Sequence, residues 1–348
     1  MKALVKTQKG DGFFEIMDRP IPEIAEDEVL IKVAFTGICG TDIHVYHDEF
    51  PYWPPVIIGH EFSGTVVKCG SKVTGYKEGD KVVGEPHNLH CGKCYLCRTG
   101  NIQLCAEKRS IGWGIDGSYA EFVKMPEKLL HKVPENVSME EAAMMEPSAI
   151  VAHQLLERCR IVPNETVVVM GLGAIGLIAA RMARIAGAGR IILAGCTSDE
   201  GCRLTAAKKI DCFDEFVNVQ TQDLNEYIKS TTNGVGADLV IECSGAAPAI
   251  ANGFNILKKK GRFCAIGMNG KPTVAIPWDD AMRKGIDLQF NMSSSYMGWE
   301  MALGLMASGK LDVKPLISEI LPLEQWEKAF EDLRTGAAIK VLLTAESK

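Results

Sequence analysis

Four cysteines stand close together in one short segment of the chain, at positions Cys91, Cys94, Cys97 and Cys105. Their spacing allows four thiolates to surround one tetrahedral Zn²⁺ without any long-range folding. A disulfide framework is the competing interpretation, but it is typical of short secreted chains rather than of a chain this long. Because all four positions are cysteine, none is left for a water molecule, and the predicted zinc site is structural. The chemistry must therefore be sought elsewhere.

A second group of metal-type ligands lies earlier in the chain. Cys39 is followed by a glycine, and His60 stands between Gly59 and Glu61. A thiolate, an imidazole and a carboxylate are the mixed donor set of a zinc site that keeps an open coordination position. Taken singly, Cys39 would be interpreted as a buried cysteine and His60 as a core histidine. Their occurrence beside a four-cysteine loop and a dinucleotide pattern favours a catalytic metal site.

That dinucleotide pattern is Gly-x-Gly-x-x-Gly, formed by Gly171, Gly173 and Gly176. It follows a continuous apolar run, 166–170, and precedes a helical pattern of small residues. In this context the first glycine allows a tight turn, the second admits a pyrophosphate and the third permits close helix packing. The helix N-terminus favours the negative charge of the phosphates. A glycine-rich turn without a ligand is the alternative.

The choice between NAD and NADP depends on the end of the next strand, which is predicted over 190–194. No acidic residue stands directly at its tip. Asp199 and Glu200 follow a few residues later, where they could bind the ribose or be surface charges. Ser198 and Arg203 could instead accommodate a 2′-phosphate. We favour NAD and leave NADP open.

Length and composition restrict the class of protein. A chain of 348 residues suggests two domains, and 47% hydrophobic with 24% charged residues is ordinary for a globular protein. No apolar run is long enough to span a membrane. The N-terminus lacks the apolar core of a signal peptide, and twelve cysteines suit a reducing compartment, so we expect a cytoplasmic protein. The net charge of −6 argues against a nucleic-acid partner.

The pattern of elements changes along the chain. Short β-type runs fill residues 1–150, which suggests a small barrel or sandwich. After Pro163, strands alternate with helices, which predicts a parallel, doubly wound sheet. One of these strands is predicted to begin at Gly261, after a solvated lysine run (258–260) at a helix end. The tail contains a helical pattern (299–308) and ends in a strand (339–344), and it is expected to return to the first domain.

Five motifs in this order carry a family resemblance. They are the segment from Gly37 to His44, Gly-His-Glu-Phe-Ser-Gly at 59–64, the four-cysteine loop, Met-Glu-Pro at 145–147, and the glycine turn at 171–176. The chain resembles the zinc-dependent medium-chain dehydrogenase/reductase family, in its polyol and threonine dehydrogenase branch. The resemblance implies an α/β fold, with a GroES-like β-barrel-type catalytic domain (1–150 and 293–348) and a Rossmann NAD(P)-binding domain (151–292).

The resemblance also implies roles for individual residues. Cys39 and His60 would be ligands of a catalytic zinc, and Glu61 and Glu146 would ligate it or hold its water. Thr41 and His44 match the proton relay of the family. The residues expected to bind the cofactor are Gly171, Gly173, Ile175, Gly176, Ser198, Arg203, Ile266, Gly267, Met268 and Met292. His87 is a weaker candidate near the active site, and His153 is expected to be structural.

The expected function is zinc-dependent oxidation of a secondary alcohol, in a polyol or sugar-derived substrate, with hydride transfer to NAD(P). The alternatives are L-threonine 3-dehydrogenase and a sugar-alcohol phosphate dehydrogenase, such as galactitol-1-phosphate 5-dehydrogenase. The sequence reveals no clear extra basic cluster near the site for a phosphate. A non-catalytic relative is disfavoured by the intact set of ligands, and a zinc-ribbon nucleic-acid binder by the acidic charge. A homotetramer is expected, with a dimer as the alternative.

Overall fold

The structure, a computed structural model, describes residues 1–345 and divides into two compact units. Unit 1 comprises Met1–Pro147, Ala302–Ser308 and the described residues from Ile317 onward. Unit 2 comprises Ser148–Met301 and Gly309–Leu316. The predicted boundaries, after residues 150 and 292, therefore both fall inside unit 2. The tail divides between the units, since Gly309–Leu316 belongs to unit 2.

The strands follow one another along the whole chain. In chain order they are β1 Lys2–Lys6, β2 Phe14–Asp18, β3 Glu28–Gly37, β4 Val56–Ile57, β5 Glu61–Cys69, β6 Lys81–Gly84, β7 Phe122–Pro126, β8 Leu130–Lys132, β9 Thr166–Met170, β10 Arg190–Gly195, β11 Glu215–Asn218, β12 Ala237–Glu242, β13 Leu257–Ala265, β14 Asp287–Phe290, β15 Ile317–Pro322 and β16 Lys340–Thr344.

The helices concentrate in the second half. They are α1 Gly40–Tyr46, α2 Tyr95–Arg98, α3 Met139–Ala142, α4 Met145–Val151, α5 Ala174–Ile185, α6 Cys202–Lys209, α7 Leu224–Thr231, α8 Ala247–Ile256, α9 Trp278–Lys284, α10 Tyr296–Ala307 and α11 Trp326–Thr335. A π-helical segment, Ala152–Cys159, follows α4, and single 3₁₀ turns occur at Ile102–Leu104, Glu127–Leu129, Thr197–Asp199, Lys314–Leu316 and Leu323–Gln325. Among residues 1–345, no helix combines the length and the apolar character that crossing a bilayer requires.

Unit 1 is built on two sheets whose pairs are all antiparallel except β15–β16, which is parallel. The larger sheet has the order β15-β16-β3-β5-β6-β8, with β7 also paired to β3, and a smaller sheet has the order β2-β1-β4. Strand β3 pairs with β5 so that Gly37 stands opposite Glu61, and β16 pairs with β3 so that Leu342 stands opposite Gly37. The end of the described chain therefore lies beside the strand ends that carry Cys39 and Glu61.

Unit 2 contains a six-stranded parallel sheet in the order β11-β10-β9-β12-β13-β14. The middles of β9, β10 and β12 are continuous apolar runs, 167–169, 191–193 and 239–241, and all are buried. Runs of this kind are typical of parallel strands covered by helices on both faces. The predicted doubly wound α/β sheet is confirmed, and the glycine turn follows β9 at the centre of the strand order, where such folds bind ligands.

Candidate metal centre and nucleotide site

Three potential metal ligands come together at one end of the β3–β5 pair in unit 1. Cys39 occupies the N-cap position of α1, directly after β3, while His60 immediately precedes β5 and Glu61 begins it. One ligand atom from each of these side chains lies within 4.8 Å of the other two. The group is largely inaccessible, since His60 and Glu61 are both buried. A thiolate, an imidazole and a carboxylate at this separation fit one zinc ion.

Two glycines make this convergence possible. A Cβ added at Gly37 would lie 2.3 Å from Oε2 of Glu61. Gly59 has a φ of +91°, and a Cβ there would lie 2.1 Å from the ring of Tyr119. Any larger residue at either position would displace Glu61 or Tyr119, so the glycines around the ligands are required by the packing.

A buried carboxylate orients the ligands. Asp42 is fully buried, and its Oδ2 accepts hydrogen bonds from the backbone N–H of Cys39 (2.9 Å) and the hydroxyl of Tyr119 (2.7 Å). Its Oδ1 lies 3.4 Å from Nδ1 of His60. Burial disfavours the charged imidazole, but Asp42 outweighs this and raises the pKa of His60 well above its ordinary value. Sequence reasoning missed Asp42 and Tyr119.

Lys340, also missed, brings a positive charge to the same centre. It begins β16, is only 4% exposed, and its Nζ donates to Oε2 of Glu61 (2.6 Å) and to the carbonyl of Ile38 (2.9 Å). Burial alone would lower the pKa of Lys340, but the carboxylate of Glu61 outweighs it and the pKa lies above its ordinary value. This ion pair holds one oxygen of Glu61 in place.

Glu146 lies in the first turn of α4 and is 3% exposed. Burial raises its pKa to about 7, with His60 opposing and Glu61 adding to the shift. Its Oε2 is buried and has no hydrogen-bond partner among the described residues. A buried carboxylate oxygen without a hydrogen-bond donor suits a position beside a cation, because ionised carboxyl groups are rarely buried without an opposite charge. Glu146 is nevertheless outside the three-residue cluster of Cys39, His60 and Glu61.

The two expected relay residues share helix α1. Oγ1 of Thr41 lies 3.8 Å from Sγ of Cys39. His44 is partly exposed, and its Nδ1 lies 2.8 Å from Oε2 of Glu49. Their spacing of three residues puts both side chains on one face of the helix. Their side chains make no direct hydrogen bond with each other in the described chain. The structure therefore places Thr41 at the metal cluster and His44 nearer to solvent.

The second cluster joins Cys91, Cys94, Cys97 and Cys105, whose sulfur atoms all lie within 4.8 Å of one another. Backbone N–H groups point at these sulfurs, at 3.3 Å from Cys94 to Sγ of Cys91 and at 3.5 Å from Cys97 to Sγ of Cys94. The N–H groups lower the pKa of Cys91 to about 7. Four cysteines in this arrangement form a closed tetrahedral zinc site, and the thiols are not joined in disulfides.

The glycine turn of unit 2 has the geometry of a pyrophosphate site. Gly171 has a φ of +94°, and a Cβ at Gly176 would lie 1.9 Å from the carbonyl oxygen of Gly171. A Cβ at Gly173 would meet no atom within 4 Å, so space is open there. Gly173 is also the N-cap of α5 and provides no side-chain cap, which leaves the first N–H groups of the helix for an anion. Ile175 lies in the first turn of α5.

The ends of β12 and β13 supply the other residues expected at the cofactor. The carboxylate of Glu242, which is buried, accepts hydrogen bonds from the backbone N–H groups of Ser244 and Gly245, and its backbone carbonyl accepts from Ile266 and Gly267. Sequence reasoning missed this organising role of Glu242. Beyond these strands, Met268 and Met292 are largely exposed.

The structure contradicts one of the two alternatives for Asp199, which follows β10. Its Oδ2 accepts from the backbone N–H of Cys196 (2.8 Å), and its Oδ1 accepts from Nη1 of Arg203 (2.6 Å). Asp199 is buried, so it is not a simple surface charge, and both of its oxygens are engaged. Glu200 accepts from the amide of Asn218 (2.7 Å), whereas Ser198 is exposed.

The two histidines outside the clusters have separate places. His87 is fully buried. His153 is also buried, in the π-helical segment, and its Nδ1 lies 2.7 Å from Oε2 of Glu157. This ion pair fits the structural role expected for His153.

Comparison with known proteins agrees with this arrangement. Residues 25–135 match the family model of the alcohol dehydrogenase GroES-like domain, and residues 174–308 match that of the zinc-binding dehydrogenase. Over 344 residues the chain is 39% identical to a sorbitol dehydrogenase of Halalkalibacterium halodurans, covering 99% of each protein. It is 35% identical over 344 residues to a D-arabitol-phosphate dehydrogenase of Enterococcus avium (99% of this chain, 97% of the relative).

A threonine enzyme and a solved structure are also similar to the chain over nearly its whole length. The chain is 36% identical over 349 residues to an L-threonine 3-dehydrogenase of Bacillus licheniformis, covering 99% of this chain and 98% of the relative. The alcohol dehydrogenase TADH from Thermus sp. ATN1 superposes with a TM-score of 0.88 at 29% identity, with 99% of both chains covered. The chain therefore belongs to the zinc-dependent medium-chain dehydrogenase/reductase family, in its polyol and threonine branch, and is a zinc- and NAD(P)-dependent alcohol dehydrogenase.

The two cysteine-containing clusters predict the metal content. Purified protein should contain about two zinc ions per chain, because each cluster provides a complete donor set for one ion. Cys39→Ser should retain the ion held by the four cysteines, whereas Cys94→Ser should lose that ion and retain the one at Cys39 and His60. Elemental analysis after exhaustive dialysis measures both, and unchanged zinc in Cys39→Ser would contradict the assignment.

The glycine turn predicts opposite effects of two alanine substitutions. Gly176→Ala should destabilise the protein by about 1–3 kcal/mol, because its Cβ would overlap the carbonyl of Gly171. Gly173→Ala should leave stability intact but weaken NAD(P) binding, because its Cβ enters the open space. Chemical denaturation and cofactor fluorescence titration separate the two, and normal cofactor binding by Gly173→Ala would contradict this site.

The Lys340–Glu61 pair predicts a large loss of stability in Lys340→Met. Removing the lysine leaves the Glu61 carboxylate buried without its cation, which costs about 3–5 kcal/mol in the unfolding free energy. Lys2→Met is the matched control, since Lys2 pairs with Glu324 at an exposed position of another strand of unit 1, and no measurable loss is expected there. Equal behaviour of both variants in urea denaturation would contradict this prediction.

Proposed function

We propose that the protein oxidises a secondary alcohol of a polyol or sugar-derived substrate to a ketone, with hydride transfer to NAD(P). The observation that carries the proposal is the buried Cys39–His60–Glu61 cluster, which has a mixed donor set unlike the four thiolates of the closed site. The open glycine turn of unit 2 supplies the second requirement, a place for the cofactor pyrophosphate. The names of the sorbitol and arabitol-phosphate relatives support the substrate class.

In this mechanism Cys39 and His60 hold the catalytic zinc, together with a carboxylate. When bound, the zinc acts as a Lewis acid that lowers the pKa of the substrate hydroxyl. Asp42 keeps the ring of His60 oriented, since its Oδ1 lies 3.4 Å from Nδ1. Glu61 has one oxygen held by Lys340, whereas Oε2 of Glu146 has no partner among the described residues. Glu146 is therefore a second carboxylate, beside Glu61 of the cluster, that can bind the metal or hold its water.

Two residues of α1 remove the substrate proton. Oγ1 of Thr41, beside Cys39, accepts the proton from the substrate hydroxyl and passes on its own. His44 is partly exposed and receives that proton, which it can release to solvent. Glu49, whose Oε2 lies 2.8 Å from Nδ1 of His44, orients the ring.

The cofactor pyrophosphate is bound by the glycine turn, through Gly171, Gly173, Ile175 and Gly176.

The rest of the proposed cofactor site divides between its two ends. The nicotinamide half is lined by Ile266, Gly267, Met268 and Met292, and the adenosine end lies near Ser198 and Arg203. We further propose a homotetramer, with a dimer as the alternative. We also propose a reducing compartment such as the cytoplasm, because the described cysteines are free thiols.

The decisive experiment is a reduced-cofactor absorbance screen of wild type and Cys39→Ser. Sorbitol, xylitol, galactitol, inositols and L-threonine are each tested with NAD and with NADP. Wild type should oxidise a polyol, and Cys39→Ser should lose turnover by at least about a thousandfold while still binding cofactor, because electrostatic activation of the hydroxyl is lost. Oxidation of L-threonine alone would replace the polyol assignment with the threonine alternative, and full activity in Cys39→Ser would overturn the metal assignment.

A further inference from the structure

Ser118 and Tyr119 lie directly against the chain that carries two of the candidate metal ligands. The N–H of Ser118 donates to the carbonyl of Gly59 (2.9 Å), and the N–H of Tyr119 donates to the carbonyl of Ile58 (2.8 Å). Gly59 immediately precedes His60 in the sequence. These backbone hydrogen bonds therefore hold the side chain of Tyr119 in a fixed place beside the metal centre.

The ring of Tyr119 is fully buried, and its hydroxyl points at a carboxylate. The hydroxyl oxygen lies 2.7 Å from Oδ2 of Asp42 and 3.2 Å from the carbonyl oxygen of Gly37. A phenol has a single proton to donate, and the shorter contact, to a charged acceptor, is the stronger one. Burial and the charge of Asp42 raise the pKa of Tyr119 well above its ordinary value, so the hydroxyl stays protonated and donates to Asp42.

Asp42 connects Tyr119 to the candidate ligands. Within residues 1–345 its carboxylate accepts two hydrogen bonds, both at Oδ2, from the hydroxyl of Tyr119 and from the N–H of Cys39 (2.9 Å). Two donors at one oxygen fix the orientation of the carboxylate, because hydrogen bonds to such an oxygen lie near its plane. The other oxygen, Oδ1, faces Nδ1 of His60 at 3.4 Å.

The facing atoms of Asp42 and His60 are incompletely satisfied. Oδ1 of Asp42 and Nδ1 of His60 are both buried, and neither has a hydrogen-bond partner in the described part of the chain. Buried polar atoms are rarely left in this state. A small rotation of the imidazole ring would bring the two atoms into hydrogen-bonding distance. A metal bound at Nε2 leaves the proton of the neutral ring on Nδ1, and this proton is the missing donor.

We propose that Tyr119 is a positioning residue of the mixed-ligand site, which is formed by Cys39, His60 and Glu61. Its hydroxyl holds the Asp42 carboxylate in the orientation that receives the Nδ1 proton of His60, so that Nε2 is the nitrogen presented to zinc. The inference rests on the proposed binding of zinc at this site, and it adds a residue that acts on the ligands through Asp42. The affinity of the site for zinc therefore depends on the hydroxyl of Tyr119.

The hydroxyl of the neighbouring Ser118 supports the same site in a different way. Its Oγ lies 2.6 Å from Oγ1 of Thr36, which donates to the backbone carbonyl of Glu61 (2.9 Å). This chain of hydrogen bonds ends on a backbone oxygen at the start of β5. Tyr119 differs from Ser118 because its hydroxyl acts on an ionised side chain, Asp42, that faces a ligand.

Tyr76 provides a structural tyrosine hydroxyl for comparison. It donates to the backbone carbonyl of Leu130 (2.6 Å), also within unit 1. Loss of that hydrogen bond should affect stability alone, whereas loss of the Tyr119 hydroxyl leaves the Asp42 carboxylate with one donor. Tyr76→Phe is therefore the matched control for Tyr119→Phe, since the chemical change is identical.

The test is competition for zinc between the fully loaded protein and a soluble chelator. The variants Cys39→Ser and Cys94→Ser show which zinc belongs to which site. In Tyr119→Phe the dissociation constant of the mixed-ligand site should rise by about 10- to 100-fold, as is general for the loss of a hydrogen bond behind a metal ligand. The four-cysteine site should keep its affinity, which shows that the variant is folded. Tyr76→Phe should leave both affinities unchanged.

A double-mutant cycle separates positioning through Asp42 from packing. Asp42→Asn should weaken zinc binding at the mixed-ligand site by at least about tenfold. Adding Tyr119→Phe to Asp42→Asn should change the affinity by less than about twofold, since the tyrosine then has no carboxylate to hold. Losses that multiply would mean that Tyr119 acts independently of Asp42, and they would overturn the proposal.

Wild-type zinc affinity in Tyr119→Phe, or the same loss in Tyr76→Phe, would also overturn the positioning role, while zinc binding by Cys39 and His60 stands. A wild type that binds no zinc outside the four cysteines would overturn the proposed metal centre itself. If Tyr119→Phe does not fold, proton NMR of wild type is the deciding measurement. The hydroxyl proton of Tyr119 should shift when the mixed-ligand site is loaded with zinc, because both hydrogen bonds share Asp42, and an unchanged resonance would overturn the proposal.

Discussion

The burial of charge at the start of β5 is the constraint on which the rest of this structure depends. Glu61 is buried because its strand pairs with β3 at Gly37, and its carboxylate is tolerated there because Lys340 lies on the neighbouring strand at 2.6 Å. A buried charge with one partner removed would be strongly destabilising. The end of the described chain therefore lies at the candidate metal centre.

The two clusters differ in their donor atoms, and this difference separates a structural zinc site from a catalytic one. Four thiolates close one site, while a thiolate, an imidazole and the carboxylate of Glu61 form the other. Oε2 of Glu146, outside that group, has no hydrogen-bond partner among the described residues. The closed site leaves no position for a substrate or a water molecule, so the chemistry belongs to the mixed-ligand site.

Much of the fold was predictable because its signals are local. Continuous apolar runs predict β9 and β12, and the glycine spacing predicts the turn before α5. In contrast, β13 begins at Leu257 rather than at Gly261, since three lysines and an irregular register with β12 conceal its first residues. Lys340 was missed for a related reason. A lysine in a strand resembles a solvated charge in the sequence, and only the register of β16 on β3 reveals its partner, Glu61.

Zinc-edge X-ray absorption of the fully loaded protein tests the presence of two different zinc sites most directly. We expect five sulfur ligands shared between two zinc ions, four from Cys91, Cys94, Cys97 and Cys105 and one from Cys39, with nitrogen and oxygen completing the coordination of the second ion. The mean sulfur coordination should therefore be about 2.5 per zinc. A mean of about four, from a single ion held only by sulfur, would contradict the claim that a second, mixed-ligand zinc is bound at Cys39 and His60.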